Sequence, residues 1–239
     1  MPLSSKAIVI SSLKYGDSSL IVRLFTLEGG LQAYLIKGIL GRKKGPFRAG
    51  HFQPLTQLEI VGNPSRSGKL GYLREAAIAF PYQTVHADIR KSTLALFLSE
   101  ILAQGIREEE PDPALYSYLE SALQWLDHHE QIANFHIRFL IGLSRYLGFY
   151  PDPGPSGAPF FDLGEGAFVQ EPSLHPVLGG EVLELFTRFL ETGFDSMAQV
   201  RLTQGQRREL LRALITYYEI HLPGFHEPRS LAVLDAVFA

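Results

Sequence analysis

Two hydrophobic rhythms divide the chain. Over the first 80 residues, apolar side chains alternate with polar ones or gather in short β-branched runs, the spacing of strands. Residues 6–14 (KAIVISSLK) predict a first strand, Tyr15-Gly16-Asp17 a turn, and residues 18–26 (SSLIVRLFT) a second strand. Glu28-Gly29-Gly30 turns the chain into residues 31–37 (LQAYLIK), which alternate as a half-buried strand does. A Gly- and Lys/Arg-rich loop follows over residues 38–50 (GILGRKKGPFRAG). Residues 51–61 predict a fourth strand, 62–68 (GNPSRSG) a turn of breakers, and 69–80 a fifth strand. Five short strands with a long loop after the third suit a small closed barrel better than a two-sheet sandwich.

From Tyr82 the period becomes helical. Val85, Ile89, Thr93, Leu96, Phe97 and Ile101 share one spacing; Leu115, Leu119, Leu123 and Leu126 share the next. Asp112 and Pro113 stand as N-cap and first helical residue between them. A third stripe runs through Phe135, Phe139, Leu140, Leu143 and Leu147. Residues 151–159 (PDPGPSGAP) must be loop, and 160–169 (FFDLGEGAFV) predict a small hairpin turning at Gly164–Gly166. Residues 179–190, 207–222 and 228–238 read as helices, the second behind a capping box at Thr203–Gln206. The predicted class is α+β with more than one domain. A β-barrel over residues 1–80 is followed by a mostly helical domain over 81–239, with a small hairpin insertion at 149–178.

Charge sharpens this division. Residues 1–80 carry eleven Lys/Arg against four acids, a net of +7, whereas residues 81–200 carry six against seventeen, a net of −11. A basic barrel beside an acidic helical segment points to a polyanion as partner of the first. With 239 residues and 46% hydrophobic content, the chain can bury a sizeable core. Its mean hydropathy is +0.04, and no apolar run has the length of a membrane span. The opening MPLSSKAIVISSL lacks the pattern of a secretory signal, and the absence of cysteine excludes disulfides and thiolate metal sites. The expected compartment is the cytoplasm, in association with the nucleoid.

The candidate chemistry is binding rather than catalysis. Lys37, Arg42, Lys43, Lys44 and Arg48 crowd into one loop with Gly38, Gly41 and Gly45, which let backbone approach a phosphate. Tyr34 and Phe47 flank it and could stack on bases, and Arg66, Lys69 and Arg74 could extend the same face. The alternative is a solvated loop whose Tyr and Phe belong to the core. Residues 62–69 (GNPSRSGK) miss the phosphate-binding loop spacing by one residue. The eight histidines form no HExxH pattern, and no G-x-S-x-G occurs, so neither a metal nor an enzymatic activity is expected. Arg207, Arg208, Arg212, Tyr217 and Arg229 could rim a groove for an acidic, aromatic peptide. The alternative there is a core helix with its arginines turned outward.

Three ordered stretches together resemble the RecO family: residues 7–44 with YGDSSLIVRLFTLEGGLQAYLIKG and the basic RKK, residues 147–151 (LGFYP), and residues 217–238 (YYEIHLPGFHEPRSLAVLDAVF). The resemblance implies an OB-fold for the barrel and a recombination mediator in DNA repair. Such a protein binds single- and double-stranded DNA and anneals complementary strands. With RecR it helps load RecA onto strands coated by single-stranded DNA-binding protein, touching that protein's acidic C-terminal tail, and in some organisms it acts with RecF. The basic loop is then the DNA contact, and the Arg-rimmed helix the weaker candidate for the tail. Many members carry four cysteines after the LGF-x-P stretch to hold zinc. This chain has none, so a metal-free insertion packed around Phe160, Phe161 and Phe168 is expected. Two rivals stand beside this: a protein–protein adaptor whose barrel docks partners, and a hydrolase built on His128, His129 or His221.

Overall fold

The computed structural model describes residues 2–40, 47–64, 70–107, 110–152 and 157–238. It divides into two compact units, Met1–His128 and His129–Ala239.

In the first unit five strands form one sheet in the order β3-β2-β1-β4-β5. They are β1 (Leu3–Tyr15), β2 (Ser19–Thr26), β3 (Gly30–Ile36), β4 (Gln57–Asn63) and β5 (Tyr72–Phe80). The 13 residues of β1 suffice to pair with β2 along one part and β4 along another, with a register shift between Val9 and Ser11. Such a bulge bends a strand, so β1 serves both halves of a curved sheet. A parallel bridge between Tyr34 and Gly71 closes the circle. There the Leu35 amide donates to the Gly71 carbonyl at 3.1 Å and the Gly71 amide to the Ala33 carbonyl at 2.7 Å. A long shared first strand and a parallel meeting of β3 with β5 give the five-stranded OB barrel.

Alternation sends Val9, Val22, Leu24, Tyr34, Ile60 and Leu73 into the barrel. Tyr34 fits because Gly62 and Gly71 face its ring. A Cβ on Gly71 would lie 2.9 Å from that ring and 2.6 Å from the Asn63 carbonyl, and one on Gly62 3.2 Å from the ring. A short 3-10 turn, Ala49–Phe52, inserts Phe52 into the same core. Leu55 beyond it has φ 62, strained for a branched side chain. It is held there by its amide bond to the Val9 carbonyl at 2.8 Å and by the Tyr82 hydroxyl donating to its carbonyl at 2.9 Å.

Two helices, α1 (Ile89–Gly105) and α2 (Pro113–His128), belong to this unit. Arg23 of β2 donates to the Ala103 carbonyl at 3.2 Å, Lys6 of β1 reaches Glu120 at 3.0 Å, and buried Gln57 of β4 bonds Tyr82 and Gln124. The boundary expected at residue 80 marks the change from strand to helix. The compact division lies later, at His128, because α1 and α2 are bonded to the barrel. Asp112 caps α2 through the Leu115 amide at 2.9 Å, as its place before Pro113 predicts.

A buried clasp ties the segment after β5 to the end of α2. The Asp127 carboxylate accepts the amides of Gln83, Thr84 and Val85 at 3.0, 2.8 and 3.0 Å. Lys91, 3% exposed, donates to the Thr84 hydroxyl at 2.7 Å and the Asp127 carbonyl at 2.8 Å.

The second unit holds α3 (Phe135–Tyr146), β6 (Phe160–Asp162), β7 (Ala167–Val169), β8 (Val177–Gly179), α4 (Gly180–Glu191), α5 (Gln204–His221) and α6 (Leu231–Val237). The hairpin expected at 160–169 is present, and β8 extends it to a sheet of order β7-β6-β8. Phe161 is fully buried, its ring 5.1 Å from Phe168 and 4.8 Å from Phe186. The buried Asp162 carboxylate accepts the amides of Gly164 and Glu165 at 2.8 and 2.9 Å and lies 3.2 Å from His175 Nδ1. Thr203 and Gln206 form the predicted capping box of α5.

Candidate nucleic-acid interface

The loop between β3 and the 3-10 turn is anchored at both ends. At its start, the Leu40 amide donates to the Ser18 carbonyl at 2.9 Å, tying the loop to the β1–β2 turn. At its end, half-buried Phe47 packs against the barrel core, edge-on to Phe52 at 6.2 Å between centroids. Lys37 and Arg48 flank the loop and are exposed. Burial and the neighbouring Arg48 charge both lower the His51 pKa, so this imidazole stays neutral more readily than a free one. Arg42, Lys43, Lys44, Arg66 and Lys69 lie outside the described residues. Arg74 is exposed on β5.

One expected contact is corrected by burial. Tyr34 is 0% exposed, and alternation along β3 points its ring into the barrel, where burial pushes the phenol pKa up to about 12. It therefore cannot offer a face to a base, and Phe47 offers only the part of its ring that the core leaves free. The residue missed in the sequence is Tyr72, 61% exposed on β5, two positions before exposed Arg74. Tyr15, 56% exposed, stands at the end of β1 beside the hairpin turn. The signal was present: once Leu73 is taken as inward, Tyr72 must point outward.

Glu28, Glu59 and Glu75 line one groove of about 440 Å³ with Lys6, Ser4, Ile60 and Val61. They are three of the four acids among residues 1–80.

In the second unit, Tyr217 is 2% exposed and donates its hydroxyl to the Phe149 carbonyl at 2.6 Å. It is core, not the wall of a groove, because α5 turns that face inward. Arg207 is half-buried and donates to Asn134 Oδ1 at 3.2 Å, and Arg208 pairs with Asp235 at 3.2 Å. Both line a cleft of about 20 Å³ with His136, Leu211, Leu234 and Phe238, room for little more than a water. Burial first, and the Arg207 charge second, lower the His136 pKa to about 3. Arg212 and Arg229 are exposed and outside that lining. Among the described residues no three His, Asp or Glu side chains gather as metal ligands do, and no helix is long and apolar enough to cross a membrane.

Comparison with known proteins agrees with the barrel and with the helical region after it. The family model described as Recombination protein O N terminal matches residues 1–82, and that described as Recombination protein O C terminal matches residues 86–231. The chain is similar to DNA repair protein RecO of Christiangramia forsetii, 44% identical over 238 residues and 100% of both chains. It is also similar to that of Flavobacterium psychrophilum, 43% identical over 239 residues, and of Porphyromonas gingivalis, 33% identical over 248 residues, again with 100% of both chains covered. With both halves of the family matched in order over an OB barrel and a helical remainder, the chain belongs to the RecO family.

Proposed function

We propose that this protein is a DNA-binding recombination mediator in DNA repair. The observation that carries the reading is an OB barrel in a chain of the RecO family, with a Lys/Arg-rich sequence between Leu40 and Phe47, the two described residues that hold to the barrel on either side of it. Its basic residues, Lys37, Arg42, Lys43, Lys44 and Arg48 with Arg66, Lys69 and Arg74, neutralise phosphates and release counterions, so affinity is independent of sequence and falls with salt. Screening the repulsion between two strands while holding both lets complementary bases find one another. No bond is made or broken, and the mechanism asks for no catalytic residue. In the cell it acts on single- and double-stranded DNA, with RecR, and with RecF where present, to help RecA replace single-stranded DNA-binding protein. Arg207, Arg208, Arg212 and Arg229 are the cations assigned to that protein's acidic tail; Arg207 is half-buried against Asn134, Arg208 is exposed but paired with Asp235, and Arg212 and Arg229 are exposed.

A second reading, an adaptor whose barrel docks a protein, is favoured by the acid-lined groove at Glu28, Glu59 and Glu75. One experiment separates the two: fluorescence anisotropy of a labelled single strand across a salt series, for the protein and for its Arg42→Glu/Lys43→Glu/Lys44→Glu variant. Steep salt dependence, with a slope smaller by about 2–3 in the variant, supports phosphate contact by the loop. No binding by the unaltered protein at low salt, or identical slopes, puts the adaptor first. A labelled acidic peptide ending in an aromatic residue, titrated against Arg212→Glu/Arg229→Glu, checks the tail assignment: equal affinities would remove it.

A further inference from the structure

The pairing of β1, β2, β3 and β5 builds a feature that no charge pattern announces. Leu13 pairs with Ile21, Ile21 with Leu35, and Leu35 bonds to Gly71 beside Tyr72. Partners across a sheet share a face, and the inward residues of these strands are Leu20, Tyr34, Ile36 and Leu73. Leu13, Ile21, Leu35 and Tyr72 therefore form one outward row around the barrel. Its ends are open to solvent, Leu13 at 67% and Tyr72 at 61%, and its middle is half-buried. Lys37, the first residue beyond β3, and Arg74, at the register shift of β5 two residues after Tyr72, are exposed and close to the row in sequence. Farther down the same face Arg23 is engaged with the Ala103 carbonyl of α1 at 3.2 Å, so the helix occupies that end and leaves the Tyr72 end clear.

An apolar row ending in an aromatic ring and edged by two cations fits one occupant by its chemistry: a nucleic-acid strand with bases unpaired. Flat base faces need an apolar or aromatic surface, and the phosphates between them need positive charge. A duplex has the phosphates but keeps its base faces stacked on one another. Glu28 and Glu59 line a different groove, and the acids nearest the row are Glu75, beside Arg74, and Asp17, in the β1–β2 turn. We infer that this outer face is a stacking platform for unpaired bases, with Tyr72 the residue that favours single strands over duplex. The inference rests on the DNA-binding reading and adds to it a division of labour. The basic loop holds any phosphate backbone, and Tyr72 reads whether the bases are free.

The test titrates the full chain with three labelled ligands: an oligothymidylate, an abasic strand of the same length, and a duplex. Stacking by one base corresponds to about a fivefold change in affinity or more. Tyr72→Ala should weaken oligothymidylate binding by at least that factor, leave the abasic strand and duplex within about twofold, and be rescued by Tyr72→Phe. If Tyr72→Ala melts early, Tyr72→Trp carries the test: oligothymidylate should quench the new indole and the abasic strand should not. Unchanged oligothymidylate affinity in the alanine variant, equal losses on the abasic strand, or an unquenched indole overturns the platform and leaves the DNA-binding reading standing. Failure of the unaltered protein to bind any of the three overturns both.

Discussion

Replacing Asp127 tests whether the first unit is one folded body. Its carboxylate caps three consecutive amides, Gln83, Thr84 and Val85, and accepts the Thr84 hydroxyl at 3.1 Å. It is 3% exposed, so water does not replace it freely. Asp127→Ala strips the acceptor from all three amides. At roughly 1–3 kcal/mol for each donor left unsatisfied, and with partial relief by entering water, the cost is about 3–5 kcal/mol. Asp127→Asn keeps one oxygen for Thr84 and Val85 but turns a donor toward the Gln83 amide, for about 1–2 kcal/mol. With a urea dependence near 2–3 kcal/mol per molar, the alanine midpoint falls by about 1–2 M and the asparagine midpoint by less than about 1 M. Far- and near-ultraviolet circular dichroism would follow unfolding. Burial opposes the charge, but the amide and hydroxyl bonds outweigh it and hold the carboxyl below the usual range. A depressed carboxylate contributes above the unfolded-state pKa near about 4 and loses that contribution as pH falls through the folded value. The gap between the protein and its asparagine variant should therefore close in acid. An alanine midpoint within about 0.2 M of the parent would refute the clasp as a source of stability.

Packing and titration give two more outcomes. Gly71→Ala forces a Cβ to within 2.9 Å of the Tyr34 ring of β3 and 2.6 Å of the Asn63 carbonyl of β4, so β5 must shift from one or both; thermal melts should show a loss of about 2 kcal/mol or more, and an unshifted melt would mean that the close approach of Gly71 is dispensable. His136, with its pKa lowered to about 3, should draw stability away as pH drops from about 6.5 toward 3, because the unfolded chain takes up a proton that the folded one refuses. His136→Gln should flatten the urea midpoint over that window, and a midpoint in the variant as pH-dependent as the parent's would assign the effect elsewhere.

The barrel was legible because its strands alternate and its turns carry Gly, Asn and Asp; β1, β2 and β3 fall within a few residues of their predicted bounds. The caps at Asp112 and Thr203 were legible for the same local reason. Four things were not. Predicting a strand from His51 ignored that Phe52 enters the core from a 3-10 turn and that Leu55 takes a left-handed backbone, which no leucine advertises. The three residues of β8 are too few to show a period. Orientation was the costliest omission at the site, because proximity to charge suggested Tyr34 and Tyr217, whereas strand parity and helix packing bury both. The same parity points Tyr72 outward, between Lys69 and Arg74 in the sequence. Membership of α1 and α2 in the barrel unit rests on bonds such as Arg23 to Ala103, which link residues 80 apart.

Among the described residues one parallel bridge closes the barrel, and this has a kinetic consequence. Antiparallel seams in this sheet are zipped by many bonds, whereas β3 and β5 meet through the Leu35 and Gly71 amides. Those two amides should be among the first of the barrel to exchange with deuterium, through a local opening far smaller than global unfolding. A molecule lying across β3 and β5 would suppress that opening, so slowed exchange at Leu35 and Gly71 would report occupancy of the outer face without any label on the ligand.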